Sequence, residues 1–537
     1  MVFNFFGKLF SLVFDGWSWW WDRITEDNVI RVLTTVLATT LIISWCAWLI
    51  KKSRTPPLPP GPPGLPVLGN LPFIEPDFHR YFTKLSQIYG PIVKLKLGSK
   101  ICIVITSPSL AKQVLKDQDA VFANRDPPAS ALITSYGKHD IVWMPNGPEW
   151  RQLRKIFVRD MMSSSILDAC YGLRRQEVRE MVREVYKQVG LPINIGEQIF
   201  LTILNVVMNM LWGGSLHGED RRIVGVEFRQ VVGEIVEMLG KPNISDLFPV
   251  LARLDLQGIK SNTKKLVSWF DRIFDSVIAH RMDVDVANES ETKKENKEIK
   301  DFLQFLLDLK NQGDSKTSLS TTQIKGLLLD IVLGGSDTTS TSLEWAIAEI
   351  LNNLEIMRKV QEELDEVVGN DSIVEESHIP KLHYLNTVLK ETFRLHPPLP
   401  LLVPHCPSQT CTVAGYAVPE GSRIFINVWA MQRDPKTWEN PLEFQPERFL
   451  KEPGKCDYQG NNFHYLPFGS GRRICAGISL AEKLVAYVLA TLLHSFDWKL
   501  PQGMKMDLSD KFGIILKKSD PLVAIPTARL SIPVLYN

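Results

Sequence analysis

The sequence lacks the excess of positive charge that a polyanion-binding protein needs. Its 61 Lys and Arg residues are balanced by 60 Asp and Glu residues, so the net charge is +1 over 537 residues. Proteins that bind nucleic acid are usually strongly basic, because contacts with phosphates dominate their affinity. The composition therefore argues against a nucleic-acid partner.

The sequence also lacks recognisable cysteine pairs. Its seven cysteines are odd in number and scattered, and no two stand in a CxxC motif. This excludes a disulfide framework and fits a reducing compartment. Cys475 has no second Cys or His at the short spacing of a zinc site, and an iron–sulfur cluster would need further cysteines.

The N-terminal residues predict attachment to a membrane. Residues 1–28 contain clustered Phe and Trp, typical of a membrane–water interface, and are interpreted as a short lumenal or interfacial segment. Val32–Ile50 is a run of 19 residues without a charge, so we predict a single transmembrane anchor at 29–50. Basic residues in 51–54 place the C-terminal bulk in the cytosol. A disordered N-terminal lead and a cleaved signal peptide are the alternatives.

A proline-rich stretch follows the predicted anchor. Pro56–Gly64 can form neither helix nor strand, so we predict a stiff extended hinge over 51–70, with an SH3-type ligand as the alternative. The remaining residues, 71–537, are expected to form one catalytic domain. Within it Asp283–Lys300 is charged and poor in aliphatic residues, which predicts a mobile loop.

Periodicity predicts a mainly helical domain with a small β-rich lobe near residues 80–110. Ile92–Leu97 and Lys100–Thr106 alternate in the manner of strands around a Gly-Ser turn. Helical spacing of apolar residues is found at 150–162, 197–212, 223–240, 257–281, 298–311, 321–352, 354–368 and 380–395.

One cysteine stands in an unusual setting. In Phe468-Gly-Ser-Gly-Arg-Arg-Ile-Cys475-Ala-Gly477 a glycine-bent loop leads into a helical pattern. Loop amides and the positive end of a helix both favour a thiolate over a thiol. A single thiolate can ligate heme iron, or it can be a redox or nucleophilic cysteine.

The spacing Phe468-x-x-Gly471-x-Arg473-x-Cys475-x-Gly477 resembles the heme-binding loop of the cytochrome P-450 superfamily at each defining position. The resemblance implies the large, mainly helical heme-thiolate fold. It also implies heme b (iron protoporphyrin IX) as cofactor, with Cys475 as the axial ligand of the iron.

A second motif lies in a long apolar helical stretch. Gly334-Gly-Ser-Asp-Thr338 contains residues that are costly in a helix, and the Thr338 hydroxyl can bond the Gly334 carbonyl, which predicts a local bulge. Asp337-Thr338 resembles the family's acid–alcohol pair. By that resemblance Thr338 would hydrogen-bond dioxygen at the heme, and Asp337 would relay protons. A helix bent for packing is the alternative.

Two further motifs resemble those of the family. Glu391-x-x-Arg394 alone would indicate a surface pair, but with Arg448 in a PERF sequence it implies a buried structural triad. Trp150-x-x-x-Arg154 implies contacts with the heme propionates.

Two other side chains are further candidates for the propionates. Arg473 is a third candidate beside Trp150 and Arg154. His405 stands where many relatives have Arg, and an ordinary loop histidine is its alternative.

These motifs imply an NADPH- and O2-dependent monooxygenase. Electrons would come from a membrane NADPH–cytochrome P-450 reductase, since the chain has no flavin or nicotinamide domain. The resemblance to the plant microsomal branch implies a single-pass protein of the endoplasmic reticulum membrane, in contact with lipid and with its catalytic domain in the cytosol. A heme-thiolate isomerase or dehydratase, or a non-catalytic heme-binding membrane protein, are the rivals.

The substrate is expected to be a small apolar plant metabolite. Segments that line the pocket in relatives are mostly aliphatic here: Ser130–Tyr136, parts of 205–240, Leu327–Gly335, Leu399–Val403 and Phe512–Ile515. The segments 239–253, 169–175 and 210–214 resemble the group that contains delta-cadinene (sesquiterpene) hydroxylases. We therefore expect a terpenoid first and a flavonoid or other phenolic substrate second.

Overall fold

The computed structural model describes residues 34–44, 56–214, 218–290, 301–311, 319–451, 454 and 456–537. The predicted interfacial segment, residues 1–28, lies outside the described residues. The chain divides into a small unit, residues 1–58 with Gly415–Ala417, and a large body formed by Pro59–Ala414 and Val418–Asn537.

The predicted anchor is described only in its middle part. There, Thr34–Ser44 is an apolar helix, and side chains such as Val36, Leu37 and Leu41 are exposed. Two other described helices, Ile195–Trp212 and Ile478–Ser495, are long and apolar enough to cross a membrane, but both are largely buried within the body. A spanning helix over 29–50 stays a prediction.

Helices make up most of the described chain. They are α1 (Thr34–Ser44), α2 (Phe78–Tyr89), α3 (Pro108–Lys112), α4 (Asp119–Phe122), α5 (Ala129–Thr134), α6 (Pro148–Lys155), α7 (Ser164–Ala169), α8 (Tyr171–Tyr186), α9 (Ile195–Trp212), α10 (Gly218–Gly240), α11 (Ile244–Leu247), α12 (Ile259–Ser290), α13 (Phe302–Asn311), α14 (Thr321–Asn352), α15 (Leu354–Val367), α16 (His383–Leu395), α17 (Val428–Met431) and α18 (Ile478–Ser495).

The strands are short and form small sheets. They are β1 (Ile92–Leu97), β2 (Lys100–Ile105), β3 (Ile193–Asn194), β4 (Cys411–Val413), β5 (Tyr416–Val418), β6 (Arg423–Ile426), β7 (Phe496–Lys499), β8 (Asp510–Lys511), β9 (Lys517–Lys518) and β10 (Val523–Ala528). β1 pairs antiparallel with β2, as the sequence predicts, and β6 adds parallel to β2. β10 lies between β3 and β7, and β8 pairs with β9.

The long helix α14 runs through the body. A capping box fixes its start, because the Ser320 hydroxyl accepts the Gln323 N–H and the Gln323 side chain accepts the Ser320 N–H. It packs against α9, α16 and α18, so it is buried on most sides. A helix that is apolar nearly all round is expected to lie in a core.

The predicted loop over 283–300 is wrong in its first part. α12 continues to Ser290, and residues 291–300 lie outside the described residues. Residues 281–290 contain neither Gly nor Pro, the residues that most strongly interrupt a helix.

The proline-rich segment has no helix or strand from Pro59 to Gly64, which agrees with the prediction. It is nevertheless held to the body. The Lys94 N–H donates to the Pro60 carbonyl at 2.8 Å, and the Asn70 side-chain amide donates to the Pro63 carbonyl at 3.1 Å. The part of the predicted hinge from Pro59 onward is therefore fixed.

Candidate active site

A cavity of about 290 Å³ lies between α14 and the loop Phe468–Gly477 (the Cys475 loop). Each of the five segments expected to line a pocket contributes to its wall. The contributing residues are Thr134, Val236, Leu239, Asp330, Leu333, Gly334, Leu399, Leu402, Val403, Ile514 and Ile515. The wall is mainly apolar, with a few polar groups, which is typical of a small-molecule site.

The shape of the Cys475 loop depends on its glycines. Gly469 and Gly471 have φ of +74° and +68°, the left-handed region that favours glycine. A Cβ at Gly471 would also overlap the Leu115 carbonyl oxygen. The loop closes where the Cys475 N–H donates to the Phe468 carbonyl at 2.9 Å, and α18 follows directly.

The Cys475 side chain is surrounded by the protein interior. Its exposed surface faces the cavity rather than the outside of the protein. Burial raises the pKa of the Cys475 thiol, while the Gly477 N–H and the Arg154 charge lower it. The loop amide lowers the pKa as expected, but burial raises it by more. A bound metal cation would remove the proton outright.

Aromatic packing holds the start of this loop. The Phe468 ring lies 5.3 Å from the ring of Phe393, which belongs to α16, and 5.2 Å from that of Tyr458. Phe468 also lines the cavity. The loop is thereby attached to the helix that carries Glu391 and Arg394.

The structure brings Glu391, Arg394 and Arg448 together. Glu391 and Arg394 are fully buried and form two hydrogen bonds, Nε to Oε2 at 2.7 Å and Nη2 to Oε1 at 2.8 Å. Arg448 Nε donates to Oε1 at 3.0 Å, and the Gln445 N–H donates to the same oxygen at 2.8 Å. Arg394 Nη1 also donates to the carbonyls of Gln432 and Pro441, so the buried charges are well satisfied.

The opposite wall is one face of α14. Asp330, Gly334, Thr338 and Ser342 follow at intervals of four residues, and all line the cavity. The Thr338 hydroxyl donates to the Gly334 carbonyl at 2.6 Å, as the sequence predicts. The expected bulge does not break the helix, which is continuous over Thr321–Asn352. A Cβ at Gly334 would meet nothing within 4 Å, so there is room beside the helix.

Asp337 does not share this face with Thr338. Its carboxylate is buried and is paired with Lys517 of β9, whose Nζ lies 2.7 Å from Oδ1. Asp337 is not among the residues that line the cavity. The acid and the alcohol of the motif thus have separate environments.

Arg154, Arg473 and His405 all line the cavity. Arg154 donates to the Ile474 carbonyl, and Arg473 Nε donates to the Ala123 carbonyl at 2.6 Å. Burial and the neighbouring arginines lower the pKa of Arg473 to about 8, which indicates a crowded positive site. Such a site suits carboxylates.

Trp150 is close to these arginines but is not part of the cavity wall. Its Nε1 donates to the Ile141 carbonyl at 3.0 Å, and Arg473 stacks over the indole ring at 4.0 Å. Arg154 lies 5.6 Å from the same ring. The structure therefore makes Trp150 a support for both arginines, and its direct contact with a propionate stays a prediction.

His405 is buried and neutral. Burial, Arg125 and Arg473 hold the pKa of its imidazole well below the usual value. Its Nδ1 lies 3.0 Å from the Phe122 carbonyl, which can only accept, so the proton is on Nδ1. In that form Nε2 accepts rather than donates, so it is a poor partner for a carboxylate.

Sequence analysis missed Arg125, which also lines the cavity. Its Nη1 donates to the carbonyls of Val403 and Pro404 at 2.6 and 2.8 Å, and burial and Arg154 lower its pKa to about 9. Arg125 lies between helices, where no periodicity marks it.

Comparison with known proteins gives the family of the chain. A family model described as cytochrome P450 matches residues 59–525. The chain belongs to the cytochrome P450 family. The Cys475 loop and the α14 motif lie within the matched region.

The relatives of this P450 include plant enzymes of similar length. It is 39% identical to a flavonoid 3'-monooxygenase of Arabidopsis thaliana, over 93% of this chain and 97% of that protein. It is 40% identical to cytochrome P450 76T24 of Catharanthus roseus, over 89% of this chain and 94% of that protein. A zebrafish cytochrome P450 solved with abiraterone is 27% identical and has a TM-score of 0.69, covering 84% of this chain and 99% of that chain. This P450 is a monooxygenase.

Its cofactor is heme, iron protoporphyrin IX, and the residues present fit that group. Cys475 opens onto the cavity, Gly334 leaves room on the opposite side, and Arg125, Arg154 and Arg473 form a positive cluster suited to propionates. When bound, heme supplies the activation of O2 from which one oxygen atom enters the substrate.

Proposed function

We propose that this P450 hydroxylates a flavonoid-type polyphenol. The observation that carries the proposal is the polar content of an otherwise apolar cavity: Asp330, Thr134, Thr339 and Ser342 all contribute to its wall. A sesquiterpene hydrocarbon, the substrate class expected first from the sequence, has no group that can form hydrogen bonds with these side chains. The relative named as a flavonoid 3'-monooxygenase supports the same choice.

The chain's own residues then have distinct roles in the reaction. Arg125, Arg154 and Arg473 would hold the heme propionates, and Cys475 would ligate the iron. Thr338 presents a hydroxyl to the cavity, where it can hold a proton at Oγ1. Asp337, paired with Lys517 behind the cavity wall, supplies a polar route toward solvent, because the Lys517 side chain is 37% exposed.

Electrons are proposed to come from NADPH through NADPH–cytochrome P-450 reductase. Arg151 and Lys155 of α6 are exposed, whereas Arg472 and Lys483 are paired with Asp119 and Asp168. Exposed basic residues of this kind suit an acidic redox partner.

The proposed location is the endoplasmic reticulum membrane. The exposed apolar side chains of α1 and the basic residues after it support a single-pass anchor with the catalytic domain in the cytosol. Apolar substrates partition into such a membrane.

The test is turnover in microsomes that contain a plant reductase. We expect NADPH-dependent hydroxylation of a flavanone and none of a sesquiterpene hydrocarbon. Turnover of the hydrocarbon alone would favour the terpenoid alternative. Product without NADPH would indicate an isomerase or dehydratase.

A further inference from the structure

Two carboxyl groups meet at the wall of the cavity, one buried and one partly exposed to it. Asp330 of α14 lines the cavity, and Asp140, only 1% exposed, lies beside it on the protein side. Neither residue belongs to the motifs that bind heme.

The segment that carries Asp140 is fixed closely against α14. The Ile141 N–H donates to Asp330 Oδ2 at 2.8 Å, and the Trp143 and Met144 N–H groups donate to Asp140 Oδ1 at 3.0 and 2.9 Å. Gly326, one turn before Asp330, allows the approach, because a Cβ there would overlap the His139 carbonyl oxygen. The carboxyl of Asp330 is therefore held in one place.

The surroundings of Asp330 favour its protonated form. Burial and the charge of Asp140 raise its pKa well above the ordinary value, since two adjacent carboxylates cannot both ionise cheaply. A protonated carboxyl can donate one hydrogen bond and accept others. Asp330 shares a side-chain hydrogen bond with Asp140 and accepts from the Ile141 and Val142 N–H groups. Its remaining lone pairs can accept a hydrogen bond from a hydroxyl group of the substrate.

The position of Asp330 on α14 defines its distance from Thr338. It precedes Thr338 by eight residues on the same face, which is about 12 Å along the helix axis. A rigid, elongated substrate could bond Asp330 at one end while its other end lies near Thr338.

We propose that Asp330, backed by Asp140, is the specificity-determining residue that hydrogen-bonds an oxygen substituent at the end of the substrate remote from the reacting carbon. This inference rests on the proposed function, and it names the part of a flavonoid that the site recognises. A merely structural Asp330 would hold the 140–144 segment without discriminating among ligands.

The experiment compares two ligands on the holoenzyme. A flavanone with hydroxyl groups on its fused ring and the same flavanone without them are titrated, and the shift of the heme Soret band gives each Kd. We expect the hydroxylated form to bind about tenfold tighter to the wild type. In Asp330→Leu the ratio should fall to about one, with the unhydroxylated form changed by less than about twofold.

Further variants keep the test decisive. Asp330→Asn still donates and accepts, so it should retain most of the ratio. Asp140→Asn, behind the wall, should change both ligands equally. If Asp330→Leu loses the thiolate-type Soret band, Asp330→Thr, which keeps one oxygen for the Ile141 N–H, takes its place and should also lower the ratio.

The two proposals fail in different ways. An unchanged ratio in a folded Asp330→Leu or Asp330→Thr enzyme that still hydroxylates flavanones would overturn the role of Asp330 alone. A wild-type enzyme that binds neither flavanone but turns over a sesquiterpene hydrocarbon would overturn the proposed function itself.

Discussion

On the Cys475 side of the cavity, the charged groups of Glu391, Arg394 and Arg448 are satisfied by other protein groups. Glu391 accepts from Arg394, Arg448 and Gln445, and Gln432 bonds both the Arg394 carbonyl and the Leu466 N–H that leads into the Cys475 loop. Such a network is costly to disturb, because any lost partner leaves a buried group unpaired.

On the α14 side, polar groups open onto the cavity instead. Asp330 and Thr338 both line it, and their oxygens can still accept hydrogen bonds from a molecule in the cavity. The difference indicates that the two sides of the cavity have different roles. Changes on the Cys475 side should affect folding and heme retention, and changes on the α14 side should affect which substrate reacts and how efficiently.

The largest effect is expected at Cys475. Cys475→Ser removes the thiolate proposed to ligate the iron, so hydroxylation and the thiolate-type Soret band of the reduced, carbon-monoxide-treated protein should both be lost. The measurement is that difference spectrum together with turnover. A variant that keeps the thiolate-type band would contradict the assignment of the axial ligand.

The next effect tests the network of the Cys475 side. Glu391→Ala leaves two arginines without their carboxylate, and for a buried pair this costs about 3–5 kcal/mol. We expect a lower melting temperature and poor heme retention, measured by thermal unfolding and heme content.

A matched control uses the same spacing on a surface helix. Glu355 and Arg358 of α15 also stand three residues apart, but both side chains are more than half exposed. Glu355→Ala should leave the melting temperature unchanged, since exposed pairs contribute little. Equal losses in the two variants would show that burial of the triad does not matter.

A third effect concerns the shape of the Cys475 loop. Gly471 and Gly421 have similar φ of +68° and +74°, but only at Gly471 would a Cβ meet protein atoms. Gly421→Ala should cost about 1 kcal/mol for the left-handed conformation alone. Gly471→Ala should cost more than about 3 kcal/mol because the Leu115 carbonyl must also move. The two melting temperatures measure this, and similar values would contradict the steric argument.

Local patterns in the sequence predicted the parts of the site that depend on neighbouring residues. Alternation around Gly98-Ser99 predicted β1 and β2, and the spacing around Cys475 placed the loop before a helix. The bond from Thr338 to Gly334 follows from helix geometry alone. In each case the residues that determine the structure are close in sequence.

The features that were missed depend on distant residues. The Ile141 N–H meets Asp330 across 189 positions, so the pairing of Asp330 with the Asp140 segment leaves no local pattern. Asp337 and Lys517 meet across 180 positions, so the partner of the Asp337 carboxylate leaves no local pattern either. α12 extends beyond its predicted end because a polar composition does not by itself end a helix.

The smallest effect on the fold, and the sharpest test of the α14 side, is Thr338→Ala. The hydroxyl is bonded only within its own helix, to Gly334, so its removal should leave the heme and the melting temperature unchanged. If Thr338 holds a proton for the reaction, product formation should fall by about tenfold or more, while NADPH is still consumed and O2 is released as hydrogen peroxide.

Ser340→Ala is the control, because the buried Ser340 hydroxyl donates to the Asp337 carbonyl and does not line the cavity. Peroxide and product are measured against NADPH consumed in both variants. Two outcomes would contradict the assignment of the α14 side to catalysis. Thr338→Ala could still convert NADPH into product efficiently, or Ser340→Ala could release as much peroxide as Thr338→Ala. Either result would show that a hydroxyl facing the cavity acts no differently from one that only packs.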